Sequence, residues 1–254
     1  NKLIFTLLAK ETMTTTLKPG RDINTSIRKA MGLSGEYLTD LTKQVPNDGS
    51  YYLRNFTFGR NKCSDQITAA NTFKISTDES SPEAYLGVYK KDGKYYPCIW
   101  SETDIFIMNR DLSYMFAGLG LDGEQSFNFA DGYAAKDVDF HNIKNVSHYM
   151  HNTFTGSDIY HHKLEPLVNL WVNQPIEEAE STFEALQQYG GIQLQMNMSY
   201  INSDALKNTS KMFKDTNMQE IWVHHGKFDK VEDASSMFEG CSTNYFYVND
   251  WTFE

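Results

Sequence analysis

The sequence predicts an α+β protein in two parts. A small α+β domain is expected over residues 1–100. An irregular solenoid with a short-stranded parallel sheet is expected over 101–254. Three observations carry this. Five segments, Asp111–Phe116, His148–Phe154, Glu180–Phe183, Asn208–Phe213 and Asp233–Phe238, end in Phe after a small polar run, and three of them end in Met-Phe. Shifting the chain by 25 residues lays Met212 on Met237, Ile221 on Phe246, Val223 on Val248 and Phe228 on Phe253 without a gap. The first hundred residues change from helical periodicity to strand alternation near residue 50.

The N-terminal elements follow in order. The apolar run Leu3–Ala9 is interrupted by Lys10-Glu11 and lacks a small-residue cleavage site, so it reads as a strand or docking arm. Residues 22–31 predict a helix: Ile23, Ile27, Ala30 and Met31 share a face, Asp22 or Asn24 can cap it, and Gly32 ends it. Ser34 opens a second helix carrying Tyr37, Leu38, Leu41 and Val45, closed by Pro46. Tyr51–Phe58 alternates as a strand, Ser76–Pro82 is a polar loop, and Tyr85–Trp100 is a hairpin turning at Asp92-Gly93. A boundary near residue 101 makes this part a cap for the repeats or an anchor to a larger assembly.

Past the boundary, Phe116, Phe154, Phe183, Phe213 and Phe238 are 38, 29, 30 and 25 residues apart. Each Phe is followed by a candidate strand. These are Phe127-x-Phe129, Val168-x-Leu170-x-Val172, Ile192-x-Leu194-x-Met196-x-Met198, Ile221-x-Val223 and Phe246-x-Val248. A lone unit cannot bury its apolar face, whereas stacked units can. Met115, Phe116, Phe154, Phe183, Met212, Phe213, Met237 and Phe238 are therefore the expected structural core.

The segment Ser235-Ser236-Met237-Phe238-Glu239-Gly240-Cys241-Ser242, with the aromatic-acid pair Phe228-Asp229, resembles the BspA-type leucine-rich repeat family of bacterial surface proteins. The resemblance is close over residues 205–254, looser over 110–204 and absent before them. Ile221, Val223, Phe246 and Val248 stand where leucines are usual, Trp251 comes two positions early, and Thr252 replaces the Asp. The resemblance implies a leucine-rich-repeat-like scaffold, often adhesive, with no catalytic residues.

Composition narrows the function. A formal charge of −10, with no basic run longer than a pair, argues against nucleic acid and anionic membranes as partners. No apolar run reaches the roughly 18 residues of a membrane span. Cys63, Cys98 and Cys241 show no Cys-x-x-Cys pair. Unpaired thiols are the favoured expectation and a Cys63–Cys98 bridge the alternative, while Cys241 reads as a small buried residue. The pairs His161-His162 and His224-His225 point to opposite strand faces, so no metal site and no cofactor is expected. Trp222, opposite in parity to Ile221 and Val223, is the expected exposed binding residue. The expected function is non-catalytic: a structural or adhesive repeat protein displayed on a particle, a phage virion component such as a fibre, decoration or tail-associated protein. Its partners would be proteins of a larger assembly, with homo-oligomers one arrangement. The virion is favoured because no export signal is evident. The alternative is a secreted bacterial cell-surface adhesin binding host protein or glycan.

Overall fold

The computed structural model describes residues 11–33, 50–54, 56–122, 127–129, 158–160, 177–189, 193–197, 204–249 and 251–252. The fold is α+β: one α-helix and fourteen strands occur among these residues. The strands are β1 (Thr14–Thr16), β2 (Tyr52–Leu53), β3 (Phe56–Gly59), β4 (Phe73–Lys74), β5 (Ala84–Lys91), β6 (Lys94–Ser101) and β7 (Ile105–Ile107). They continue with β8 (Gly120–Asp122), β9 (Phe127–Phe129), β10 (Asp158–Tyr160), β11 (Gln187–Tyr189), β12 (Gln193–Asn197), β13 (Asn217–His224) and β14 (Ser242–Asn249). The helix α1 spans Gly20–Ala30.

Twelve strands form one sheet, and β1 pairs separately with β7. Three of its rungs each comprise two short described strands in line. From one edge the order is β4, β5, β6, the rung β2/β3, the rung β8/β9, β10, the rung β11/β12, β13 and β14. The β4–β5 and β5–β6 pairs are antiparallel, and the remaining pairs of this sheet are parallel. The sheet therefore crosses residue 101 without interruption, with β2 and β3 lying between β6 and the rung β8/β9. The break between β2 and β3 has a local cause in Pro97, which has no N–H to give to a ladder. Leu53 pairs with Tyr95 but Thr57 with Cys98, so the offset falls from 42 to 41 across that point.

Sequence spacing reappears as strand register. Gly120 pairs with Asp158, 38 residues on; Asp158 with Gln187, 29 on; Gln187 with Asn217, 30 on; and Asn217 with Ser242, 25 on. Ile221 pairs with Phe246 and Val223 with Val248. Farther along, Gln193 pairs with Glu220, an offset of 27, so the earlier strand holds three more residues than its neighbour across that interval. The second helix expected after Ser34, the run Leu3–Ala9, Phe154 and the strand Val168–Val172 lie outside the described residues.

The turn before each strand is the same object four times. Around Phe116, Phe183, Phe213 and Phe238, the residue two before the Phe is left-handed: Tyr114, Ser181, Lys211 and Ser236, at φ of 64, 55, 55 and 55°. The residue two after is left-handed as well: Gly118, Ala185, Asp215 and Gly240, at 66, 54, 54 and 66°. Three successive i→i+3 bonds close each turn, as in Met212 N–H to Thr209, Lys214 N–H to Lys211 and Thr216 N–H to Phe213. Asp111, Asn208 and Asp233 open three of the turns by accepting the N–H two residues on at 2.9–3.0 Å.

Alternate N–H groups of one turn donate to carbonyls of the next. Ala179, Ser181, Phe183 and Ala185 bond to Asn208, Ser210, Met212 and Lys214. Thr209, Lys211, Phe213 and Asp215 then bond to Asp233, Ser235, Met237 and Glu239, at 2.8–3.0 Å. The phenyl rings stack along the same axis, Phe183 on Phe213 at 5.5 Å and Phe213 on Phe238 at 5.4 Å, the latter within 2° of parallel.

The helix α1 takes the place of a turn before Phe116. The carbonyl of Asp111 accepts from Gly20 N–H at 2.8 Å. The carbonyls of Met115 and Ala117 both accept from the Asn24 side-chain amide, at 3.4 and 2.9 Å. These are the positions that accept from the preceding turn in later units. Gly20 is required for this approach, since a Cβ there would lie 2.6 Å from the Leu112 oxygen. Asn24 is therefore a buried bridge and not the expected helix cap. The helix begins two residues before its expected start and is entered from Pro19 without a side-chain cap. Its apolar face holds Ile23, Ile27 and Met31 in the core, and Gly32 ends it at φ 76°.

A single apolar cluster runs from Ile23 and Ile27 through Phe58, Phe106 and Phe116 to Phe183, Phe213, Val223 and Met237. Met115, Phe116, Phe183, Met212, Phe213 and Met237 are buried in it. Phe238 departs from the expected core position: it is 39% exposed, because no further turn covers it among the described residues. Two cysteine expectations are also corrected. Cys63 and Cys98 form a disulfide that ties the segment after β3 to β6. Cys241 is half-buried, since it belongs to the same outermost turn as Phe238.

Two stability measurements follow. Asn24→Ala removes the donor of two buried carbonyls together with an unpartnered buried oxygen, and is expected to lower the unfolding free energy by about 1 kcal/mol; urea unfolding checks it. Ala185→Gly relieves a left-handed alanine and is expected to raise stability by about 1 kcal/mol, whereas Gly240→Ala is expected to lower it. A melting-temperature comparison reads both, and equal shifts in the same direction would contradict the turn geometry.

Candidate functional site

Two surfaces carry clustered aromatic and polar side chains. The first lies on the outer face of β13 and β14. Trp222, the expected binding residue, is half-buried there, and its indole N–H donates to Glu220 Oε2 at 2.8 Å. Register brings the next strand's rings against it: Tyr247 at 4.8 Å, Tyr245 at 5.6 Å, and His224 of its own strand at 5.8 Å. Alternation places Phe246 and Val248 on the opposite face of β14. The outer patch is thus a row of rings with polar edges, suited to a partner that offers both apolar area and hydrogen-bonding groups. Tyr245 and Tyr247 could not be assigned to Trp222 from sequence until the 25-residue register was applied to that outer face.

The second surface lies toward the other end of the sheet. A cleft of about 470 Å³ opens between the segment after β3 and the β5–β6 hairpin, lined by Arg60, Lys62, Glu83, Tyr85, Trp100 and Glu102 among others. Its walls are tied down. The Cys63–Cys98 disulfide holds one wall to β6. The Arg60 guanidinium donates to the carbonyls of Glu102 and Thr103 at 3.1 and 3.4 Å and pairs with Asp104 at 3.2 Å. Tyr85 and Trp100 are register partners across the hairpin, with ring centres 5.9 Å apart. The two-residue turn at Asp92-Gly93, both at positive φ, sets that register.

The Tyr85 hydroxyl donates to the Glu83 carboxylate, and Lys74 Nζ lies 3.5 Å from it. The Tyr85 hydrogen bond first, and the Lys74 charge second, hold the Glu83 carboxyl below its ordinary range. The same bond pushes the Tyr85 hydroxyl up. Sequence reading missed this cleft, because its carboxylates, cations and rings come from three separated segments that only the hairpin and the disulfide assemble.

Among the described residues no group of three or more His, Cys, Asp or Glu gathers to hold a metal ion. His224 and His225 have ring centres 6.4 Å apart, and His161-His162 lie outside the described residues. No described helix is long and apolar enough to cross a membrane. No family model, curated protein or solved structure matches this chain, so the resemblance rests on the motif residues themselves.

A titration tests the carboxyl–phenol pair. With its folded value lowered, Glu83 contributes stability that is complete above the ordinary carboxylate range and is lost as pH falls through the lowered value. Tyr85→Phe is expected to raise the Glu83 midpoint, read by NMR of the side-chain carboxyl carbon. An unmoved midpoint would remove the hydrogen bond as its cause.

Proposed function

We propose that the protein is a non-catalytic structural repeat protein. Its successive turns and parallel strands form an irregular leucine-rich-repeat-like solenoid, and residues 1–100 cap or anchor it. The observation that carries this reading is the fourfold recurrence of one turn, with a Phe between two left-handed residues, and the backbone bonds that join the last three of these turns. Burial along β13 adds support: Met218, Ile221 and Val223 point inward while Gln219, Glu220 and Trp222 do not. That is the apolar-x-x-apolar-x-apolar spacing of such repeats. Binding by α1 to the carbonyls of the first turn supports the capping role, since a repeat stack needs its end covered. In this reading the protein is displayed on a particle, as a fibre, decoration or tail-associated component of a phage virion, among protein partners of a larger assembly. Mass spectrometry of purified particles, with the gene neighbourhood, tests the placement. Peptides of this chain co-purifying with capsid and tail proteins support it, and their absence from clean particles overturns it.

A second reading, a secreted adhesin, is favoured by two specific observations. A disulfide persists in oxidising compartments. The cleft beside it pairs two aromatic rings with balanced charges, two basic and two acidic, which suits a neutral sugar ring stacked on an aromatic face with its hydroxyls bonded to polar groups. Saturation-transfer NMR with lactose, maltose, cellobiose and N,N′-diacetylchitobiose tests it. Binding lost in Trp100→Ala but retained in Trp222→Ala supports the cleft. Silence across the panel, with the protein folded, removes it.

A further inference from the structure

The charges of the cleft beside the β5–β6 hairpin are balanced in number but segregated by wall. The segment after β3 supplies Arg60, Asn61 and Lys62, and the hairpin side supplies Glu83, Tyr85, Trp100 and Glu102. Cations and an amide therefore face carboxylates and rings. The segment carrying the basic wall is fastened beyond the disulfide and the Arg60 contacts. Ile67 lies against Gly87, where a Cβ would come within 2.5 Å of Ile67 Cγ2. The Gln66 side-chain amide donates to the Lys90 carbonyl at 3.1 Å, and its oxygen accepts from Lys90 N–H at 3.2 Å. A ligand bearing both charges thus meets walls already set in place, which lowers the ordering cost of binding.

The polar groups of the cleft fall into two sets. Arg60 is engaged by the Glu102 and Thr103 carbonyls and by Asp104. Glu83 is engaged through both oxygens, by the Tyr85 hydroxyl and by Lys74 Nζ. The side chains of Asn61, Lys62 and Glu102 and the Trp100 indole N–H make no hydrogen bond or ion pair among the described residues. Lys62 and Glu102 are thus opposite charges on opposite walls, neither neutralised by the other. A primary ammonium brings three N–H donors to satisfy, and Glu102 is the one carboxylate of the acidic wall without a partner. A quaternary ammonium brings none and is held by ring faces, Trp above all. Trp100 and Tyr85 supply two such rings, 5.9 Å apart. Donation of the Tyr85 hydroxyl to a carboxylate leaves that ring richer in electrons and a stronger platform for a cation. On the facing wall, the Lys62 ammonium and the Asn61 amide offer donors to an anion with several oxygens.

We propose that the cleft binds a phosphocholine group, with its trimethylammonium over Trp100 and Tyr85 beside Glu102 and its phosphate at Lys62 and Asn61. This rests on the placement of a ligand in the cleft by the second reading above. It replaces an uncharged sugar with a net-neutral ligand whose two charges match the two walls.

The test titrates the full chain with phosphocholine, choline chloride, inorganic phosphate and cellobiose, read by the NMR shift of the Trp100 indole N–H. Phosphocholine is expected to bind about tenfold or more tightly than choline or phosphate alone, since its two groups are linked. Lys62 and Glu102 are exposed, so their variants keep the fold. Lys62→Ala is expected to weaken phosphocholine about threefold to fivefold and leave choline unchanged. Glu102→Gln is expected to weaken both. Calorimetry is expected to show binding lost in Trp100→Ala and kept in Trp222→Ala. Sedimentation with pure phosphatidylcholine vesicles separates the sources: co-sedimentation lost in Trp100→Ala assigns a lipid headgroup, and binding of free phosphocholine without it assigns a soluble or polymer-borne group. The proposal is overturned if phosphocholine binds no more tightly than choline and phosphate, or if Lys62→Ala weakens choline as much as phosphocholine. Cellobiose bound with phosphocholine silent overturns it and leaves the sugar reading standing. Phosphocholine bound with cellobiose silent supports it and removes the sugar alone.

Discussion

The structure depends on a directional row of backbone hydrogen bonds from each turn to the next. From the Phe183 turn to the Phe213 turn, and from there to the Phe238 turn, every second N–H meets a carbonyl of the following turn. Such a row can form only if the turns share a backbone shape, and the two left-handed positions around each Phe enforce that shape. The ring stack of Phe183, Phe213 and Phe238 then fixes the distance between turns at about the spacing of paired strands. Strand register, core burial and the open terminal face all follow from this one constraint.

A row with a direction imposes different requirements on its two ends. The accepting end is closed by a helix whose amide side chain and first N–H replace a preceding turn. A buried asparagine is costly unless its groups are bonded; here the Asn24 amide nitrogen serves two carbonyls, while its Oδ1 finds no partner among the described residues. At the outermost described turn, Phe238, Phe246 and Val248 are partly exposed. The rings of Trp222, Tyr245 and Tyr247 gather beside it on the outer face.

Much of the repeat could be read from residues alone. The 25-residue shift that aligned Ile221 with Phe246 is the register observed, and the intervals of 38, 29 and 30 between phenylalanines are the registers of the earlier strands. Aspartate or asparagine five residues before Phe116, Phe213 and Phe238 marked the turn openings. Other features were hidden. Ala185 and Asp215 sit at a left-handed position that Gly118 and Gly240 mark openly, so the repeated conformation could not be seen in the alanine or the aspartate. Asn24 looked like a helix cap because local chemistry allows it, and its true acceptors lie 91 and 93 residues away. The cleft lined by Arg60, Glu83 and Trp100 needed the disulfide and the hairpin to bring distant segments together.

By itself the sequence determined what is periodic: which side chains recur, and the intervals at which the strands after Phe116 pair. These are properties of local conformation repeated at a fixed interval, and interval is a sequence quantity. Only the tertiary structure decided what happens where the period stops. Whether Cys63 meets Cys98, what closes the first turn, and whether Phe238 is covered depend on groups brought together from far along the chain. No repeat interval encodes those meetings, because each occurs once and its energy is settled by burial and hydrogen bonding in three dimensions.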